Sequence, residues 1–92
     1  MRQRRPALVV AAGDLAAQHG LLWVVMVTSA SHRRWPNDVE LIDYAACGLP
    51  APSIIRPAKI ATIEDRDAAP LGTVPEAVLK SVLASVGSQL GI

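Results

Sequence analysis

The sequence predicts a mainly β domain: a small, strongly curved antiparallel sheet or open barrel, with one C-terminal α-helix covering an opening. Three observations carry this. Four or five short apolar segments rich in β-branched residues are separated by turn residues. From Thr73 onward the pattern changes from runs and alternation to helical spacing. The chain has 92 residues, 51% of them hydrophobic and none phenylalanine, so a single core must be assembled from Val, Ile, Leu and Ala. A domain of this size, residues 1–92, buries roughly 60–65% of its unfolded surface, and a partner covering more apolar surface would add stability.

The elements follow in order. "PALVVAA" (Pro6 to Ala12) reads as a strand, with Pro6 at its first position, where the missing N–H is tolerated. "GDLAAQHG" is an excursion between Gly13 and Gly20. "LLWVVMVT" (Leu21 to Thr28) is too short for most helices and rich in β-branched residues. Its unbroken apolar character implies burial on both faces, or a face covered by another subunit. In "NDVELI" the residues alternate, with Val39 and Leu41 on one side and Asp38 and Glu40 on the other. "SIIRPAKIATIE" (Ser53 to Glu64) reads as one long strand or two consecutive pieces, and Pro57 should mark a bulge, bend or edge. In the last segment Val78, Leu79, Val82, Leu83, Val86 and Leu90 share one helical face. Thr73 with Glu76 is a capping-box pattern, Pro75 suits a first turn, and Gly91 is a C-terminal stop.

Nine Lys and Arg against eight Asp and Glu give a net charge of +1, so the distribution says more than the total. Arg2, Arg4 and Arg5 cluster near the N-terminus, and Arg33 and Arg34 form a second group. Such local patches can bind polyanions on a nearly neutral protein. Cys47 is the sole cysteine, which excludes an intramolecular disulfide and a cysteine-cluster zinc site. Asp14 interrupts the apolar residues after the basic N-terminus too early for a signal peptide. No apolar run approaches the roughly 18 residues that span a bilayer. The expectation is a soluble cytoplasmic protein with no membrane partner.

Five motifs then fall into an order. They are "RRPALVV", "VMVTSAS", "WPNDVEL", "LPAPSIIRPAKIATIE" and "LGTVPEAVLKSVLASVGSQLG". Together they resemble the MazF/PemK family within the CcdB/Kid superfamily, the toxins of type II toxin–antitoxin pairs. The resemblance implies an SH3-like barrel that dimerises. It implies a sequence-specific endoribonuclease that cleaves single-stranded RNA, typically messages, without a metal or other cofactor, and that is held inactive by a cognate antitoxin. Two departures stand out. Family members begin with a further strand of the Gly-Asp-Val type and a polar loop before the Arg-Pro motif, whereas this chain starts almost at Arg5. PemK-like members carry an aspartate two residues after the arginine of the long strand, where Ala58 stands here.

Cleavage without metal uses the ribose 2′-OH as nucleophile. It needs a proton acceptor, cations for the phosphorane charge and an acid for the leaving oxygen. The resemblance implies catalytic roles for Arg5, Thr28 and Arg56. Arg5 matches the Arg-Pro arginine, and a guanidinium can contact two phosphate oxygens at once; the competing reading is a solvated basic terminus. Thr28 matches the family's active-site threonine at the end of the apolar run, and Ser29 follows it; a strand-end hydroxyl can also bond its own turn. Arg56 lies in an apolar strand and needs water, an acid or a ligand; the alternative to a phosphorane contact is an ion pair with Glu40 or Asp38. His32, with no family match, is the substitute candidate for proton transfer, against the reading of a solvated loop histidine. Arg33 and Arg34 can track a phosphate backbone, Trp35 can stack on a base or pack on the core, and Lys59 would project near Arg56.

Two other functions remain open from the residues. One is a non-catalytic module that binds RNA or antitoxin, which the short N-terminus and Ala58 favour. The other is a gyrase poison of the CcdB type, to which only the terminal Gly91-Ile92 points.

Overall fold

The two longest apolar segments pair with each other and form the spine of the fold. The computed structural model describes residues 4–91, so Arg2 and Ile92 lie outside the described residues. Leu21–Ser29 is one strand, β2, and Ser53–Glu64 is another, β4. They run antiparallel along their whole lengths, from Leu21 opposite Glu64 to Ser29 opposite Ser53. Ala7–Ala11, β1, adds to one edge through β2, and the short Val39–Leu41, β3, adds to the other through β4. The order is β1-β2-β4-β3 in one antiparallel sheet. With Glu76–Leu90 forming α2, the architecture is the expected half-barrel and C-terminal helix.

The proline in β4 acts as expected. Val25 pairs with Ile60 but Met26 pairs with Arg56, so Pro57, Ala58 and Lys59 bulge out of the ladder. The Gln89 side chain at the end of α2 donates to the freed Pro57 carbonyl at 2.9 Å. The helix-facing side of the sheet carries Val25, Val27, Leu41 and Ile55, which pack with Cys47, Leu49 and Val82 of α2. Val25, Ile55 and Val82 are fully shielded from solvent. On the opposite face of β4, Ile54 and Arg56 are buried as well.

Three expectations are corrected. The excursion after Gly13 is a helix, α1, Gly13–His19, ended by a left-handed Gly20. The capping box does not form: Pro75 is the N-cap with extended backbone, no side chain caps the first turn, and Thr73 lies outside the helix. Leu83 and Leu90 are exposed, so the apolar face of α2 is narrower than its sequence pattern. Asp38, just before β3, faces the same side as Glu40 as the alternation implies, and its side chain is buried there against Arg56.

The connection after α1 and β4 is short, with Asp65 donating its N–H to the Gly20 carbonyl at 2.8 Å. The segment before α2 lies directly on the turn that follows β3. A Cβ at Gly48 (φ +84°) would overlap the Leu71 carbonyl, and one at Gly72 would lie 2.6 Å from the Cys47 carbonyl oxygen. Glycine is required at both for this approach. No helix among the described residues is long and apolar enough to cross a membrane.

Candidate functional site

The C-terminal end of β2 delivers Thr28 and Ser29 to the edge of the sheet, beside the start of β1 and the loop that leads into β4. A groove of about 370 Å³ opens there, lined by Arg5, Pro6, Thr28, Ser29 and His32 and walled by residues 49–53. Backbone bonds fix its sides: Val27 N–H donates to the Pro6 carbonyl (3.3 Å), and Ala30 N–H to the Pro52 carbonyl (3.0 Å). The turn that follows is held by its own hydroxyls. Ser29 Oγ lies 2.8 Å from Ser31 Oγ and accepts from the Ser31 N–H, while His32 N–H donates to the Ser29 carbonyl. This brings Thr28 Oγ1 and His32 Nδ1 to 2.6 Å. If Nδ1 carries the proton, it donates to the threonine oxygen. The Thr28 O–H is then available to a phosphate oxygen, and the Nε2 lone pair to a proton.

A second cluster forms on the face of the sheet that α2 leaves uncovered. Arg56 Nη2 donates to Asp38 Oδ2 at 2.9 Å and to the Arg33 carbonyl at 2.7 Å, and Nε donates to Asp38 Oδ1 at 3.2 Å. The pair is dry: the side chains are 8% and 1% exposed. Asp38 Oδ2 also accepts the Trp35 N–H at 2.8 Å. The Asp38 N–H donates to the Trp35 carbonyl, closing a four-residue turn with Pro36 second and Asn37 third. Asn37 has φ +70°, the left-handed conformation that a type II turn requires at its third position and that Asn tolerates. The Arg56 guanidinium lies 4.1 Å from the centre of the Trp35 ring, and Lys59 Nζ lies 5.3 Å from it. Burial alone would push the Asp38 carboxyl up. The bonds from Arg56 and the Trp35 N–H, with the charges of Arg56 and Arg34, outweigh it and hold the group below the ordinary carboxylate value.

The residues expected from sequence therefore divide into two groups. Arg5, Thr28, Ser29 and His32 meet at the groove. Trp35, Arg56 and Lys59 meet in the second cluster, which Arg33 joins through its backbone carbonyl, while Arg34 forms an exposed ion pair with Glu40 at 3.3 Å. Thr28 pairs with Ile54 and Met26 with Arg56, so Thr28 and Arg56 project from the same face of the sheet. Trp35 lies on this outer face, over Arg56, and keeps 40% of its surface exposed. The Arg56–Asp38 pair is the ion-pair alternative expected for Arg56, and it puts Asp38 at the centre of the second cluster. The hydroxyl–imidazole contact is also new; its only trace in sequence is the four-residue spacing of Thr28 and His32.

Comparison with known proteins sets this geometry in context. A protein-family model described as "PemK-like, MazF-like toxin of type II toxin-antitoxin system" matches residues 1–90. No curated protein matches the sequence. Among solved structures, the Deinococcus radiodurans MazE–MazF complex is similar with a TM-score of 0.81 and 28% identity, over 97% of this chain and 84% of that one. The Mycobacterium tuberculosis toxin MazF-mt6 shares the fold with a TM-score of 0.76 and 19% identity, over 96% of this chain and 87% of that one. A mycobacterial endoribonuclease in complex with its cognate antitoxin shares it with a TM-score of 0.77 and 19% identity, over 96% and 82%.

Proposed function

Because the chain belongs to the PemK-like, MazF-like toxin family of type II toxin–antitoxin systems, we propose that it is a sequence-specific endoribonuclease that cuts single-stranded RNA without a metal ion. The observation that carries this reading is the groove itself, where Arg5, Thr28, Ser29 and His32 converge and Thr28 Oγ1 meets His32 Nδ1 at 2.6 Å.

In this reading the RNA backbone lies in the groove with its scissile phosphate on Arg5 and the Thr28 and Ser29 hydroxyls. The 2′-OH proton passes to His32 Nε2 as the 2′-oxygen bonds to phosphorus. The P–O5′ bond then breaks, the 5′-oxygen takes a proton from water, and the products are a 2′,3′-cyclic phosphate and a 5′-OH. Arg5 supplies the charge that the phosphorane oxygens need, and the hydroxyls donate to them. Asp38 is unsuited to replace the aspartate absent at Ala58. Its two oxygens are occupied by donors, and its lowered pKa makes it a weak base. Arg56 has most of its fork engaged by Asp38 and the Arg33 carbonyl, and we assign direct phosphate contact to Arg5, which lines the groove beside Thr28. The protein acts as a homodimer, and an acidic, partly disordered antitoxin peptide blocks the same groove.

The test is incubation of the purified protein with single-stranded RNA in EDTA, with both ends of each fragment mapped. Cyclic-phosphate and 5′-OH ends at a short motif are expected, abolished in Arg5→Ala. Absence of cleavage, with Arg5→Ala and Arg56→Ala binding RNA as well as wild type, overturns the enzyme reading. The engagement of Arg56 and the alanine at position 58 favour one second reading, a non-catalytic binder of RNA or antitoxin. RNA binding with no fragments selects it.

A further inference from the structure

We propose that Asp38 is a positioning residue: through Arg56 it fixes Trp35 as a stacking platform for one base of single-stranded RNA beside the cut site. This rests on the RNA reading of the groove and adds a specificity subsite to it.

The inference starts from how completely the Trp35 segment is tied. Its N–H goes to the Asp38 carboxylate and its carbonyl accepts the Asp38 N–H. Two residues earlier, the Arg33 carbonyl accepts from Arg56. The ring is backed by the Arg56 guanidinium at 4.1 Å, and Arg56 is itself aimed by three contacts to Asp38. A single carboxylate thus sets both the backbone and, through Arg56, the ring plane. An ion pair this dry adds little net stability over apolar side chains of equal volume, so its geometric consequence matters more than its energy. Trp35 as a whole stays 40% exposed, so it is not closed into the core and can meet a ligand.

The surroundings specify the occupant. Lys59 approaches the same ring at 5.3 Å, and Arg33 and Arg34 flank it in sequence. An aromatic face among cations suits a stacked base with its phosphates, and it disfavours an apolar protein segment. The sheet gives the spacing. Thr28 pairs with Ile54, and Arg56 lies two residues further along β4, roughly 7 Å away on the same face. A base on Trp35 therefore neighbours the nucleotide at Thr28 and does not occupy its position.

The test uses the full chain in a Trp23→Phe background, which leaves Trp35 as the only indole. RNA with methylated 2′-OH groups, which cannot be cut by 2′-oxygen attack, is expected to quench Trp35 emission. Cleavable RNAs carrying one abasic nucleotide at successive positions are expected to show a KM rise of roughly tenfold at one position next to the cut, with kcat little changed. Asp38→Asn should raise KM for intact RNA similarly and become insensitive to that abasic nucleotide. Trp35→Leu should do the same. If Asp38→Asn does not fold, the apolar pair Asp38→Leu with Arg56→Met takes its place. Cleavage with unquenched Trp35 emission, or an abasic penalty unchanged by the Asp38 variants, overturns the inference and leaves the nuclease reading standing. Absence of both binding and cleavage overturns the nuclease reading and this subsite with it.

Discussion

Arg5 and Arg56 share a side chain and a family resemblance, yet they stand in opposite circumstances. Arg5 is exposed at the mouth of a groove of hydroxyls and imidazole. Arg56's side chain is 8% exposed, lies across a bulge in the sheet and faces an aspartate side chain that is drier still. A guanidinium in the first setting keeps contact with solvent at the place where a phosphate would enter. One in the second has already exchanged water for a carboxylate and a carbonyl, and removing its partner would leave a buried charge. The surroundings therefore decide what each arginine does. Arg5 is placed to meet a ligand, and Arg56 to hold the loop that meets one.

The sharpest way to break this comparison is to remove the Asp38 carboxylate. Asp38→Ala strands Arg56 and should destabilise the fold by about 3–5 kcal/mol, a large part of the stability of a domain this size. Asp38→Leu combined with Arg56→Met should recover most of that loss in urea denaturation. Equal stability of Asp38→Ala and wild type would mean that Arg56 is not committed to the pair. Acid should act in the same direction. The folded pKa of Asp38 lies below the ordinary value near 3.9, so its contribution is complete above that pH. It is lost as the pH falls through the lower folded value. Asp38→Leu with Arg56→Met should therefore show a flatter stability profile below about pH 4.

At the groove, the expected loss is of function and not of fold. Arg5→Ala should lower the melting temperature much less than Asp38→Ala and lose roughly 10–100-fold in kcat/KM on RNA, the scale of a charge-assisted contact. A comparable loss of stability would instead make Arg5 a structural residue like Arg56. The groove wall allows a structural control. Gly48→Ala places a Cβ against the Leu71 carbonyl at a positive φ, so it should cost more than about 1 kcal/mol and disturb residues 49–53.

The sequence reveals these two settings unequally. Runs such as "LLWVVMVT", the proline in β4 and the helical spacing after Pro75 announce the sheet, its bulge and α2, because they act through local periodicity and backbone geometry. The helix start differs from the capping-box pattern because Pro75 takes an extended backbone as N-cap, which displaces Thr73 from its capping position. α1 escapes a reading by pattern because its seven residues bury no side chain and carry no readable apolar face. At the site, Thr28 can be assigned from the end of an apolar run, but its contact with His32 depends on the Ser29–Ser31 turn. Asp38 and Arg56 are eighteen residues apart, and only the β3–β4 pairing, Val39 opposite Ile55, brings them together. Alternation places Asp38 on the face of Glu40, and Arg56 on the neighbouring strand makes that position a buried one.

The smallest expected effect comes from a second ion pair beside the same loop. Arg34 meets Glu40 at 3.3 Å, with both side chains about half exposed, at 51% and 55%. Water competes for both groups, so Arg34→Ala should change stability by less than about 1 kcal/mol, far below Asp38→Ala. Its consequence belongs to RNA binding instead. If Arg34 tracks the phosphate backbone, its loss should weaken affinity to a similar degree for every sequence and leave the abasic position seen by Trp35 unchanged. The slope of log affinity against log salt should shrink by about 0.7, the increment for one phosphate contact on a single strand. Titrations of the wild type and Arg34→Ala at several salt concentrations measure that slope. An unchanged slope would confine Arg34 to its pair with Glu40, and the loop's contact with RNA would then rest on Arg33, Trp35 and Lys59.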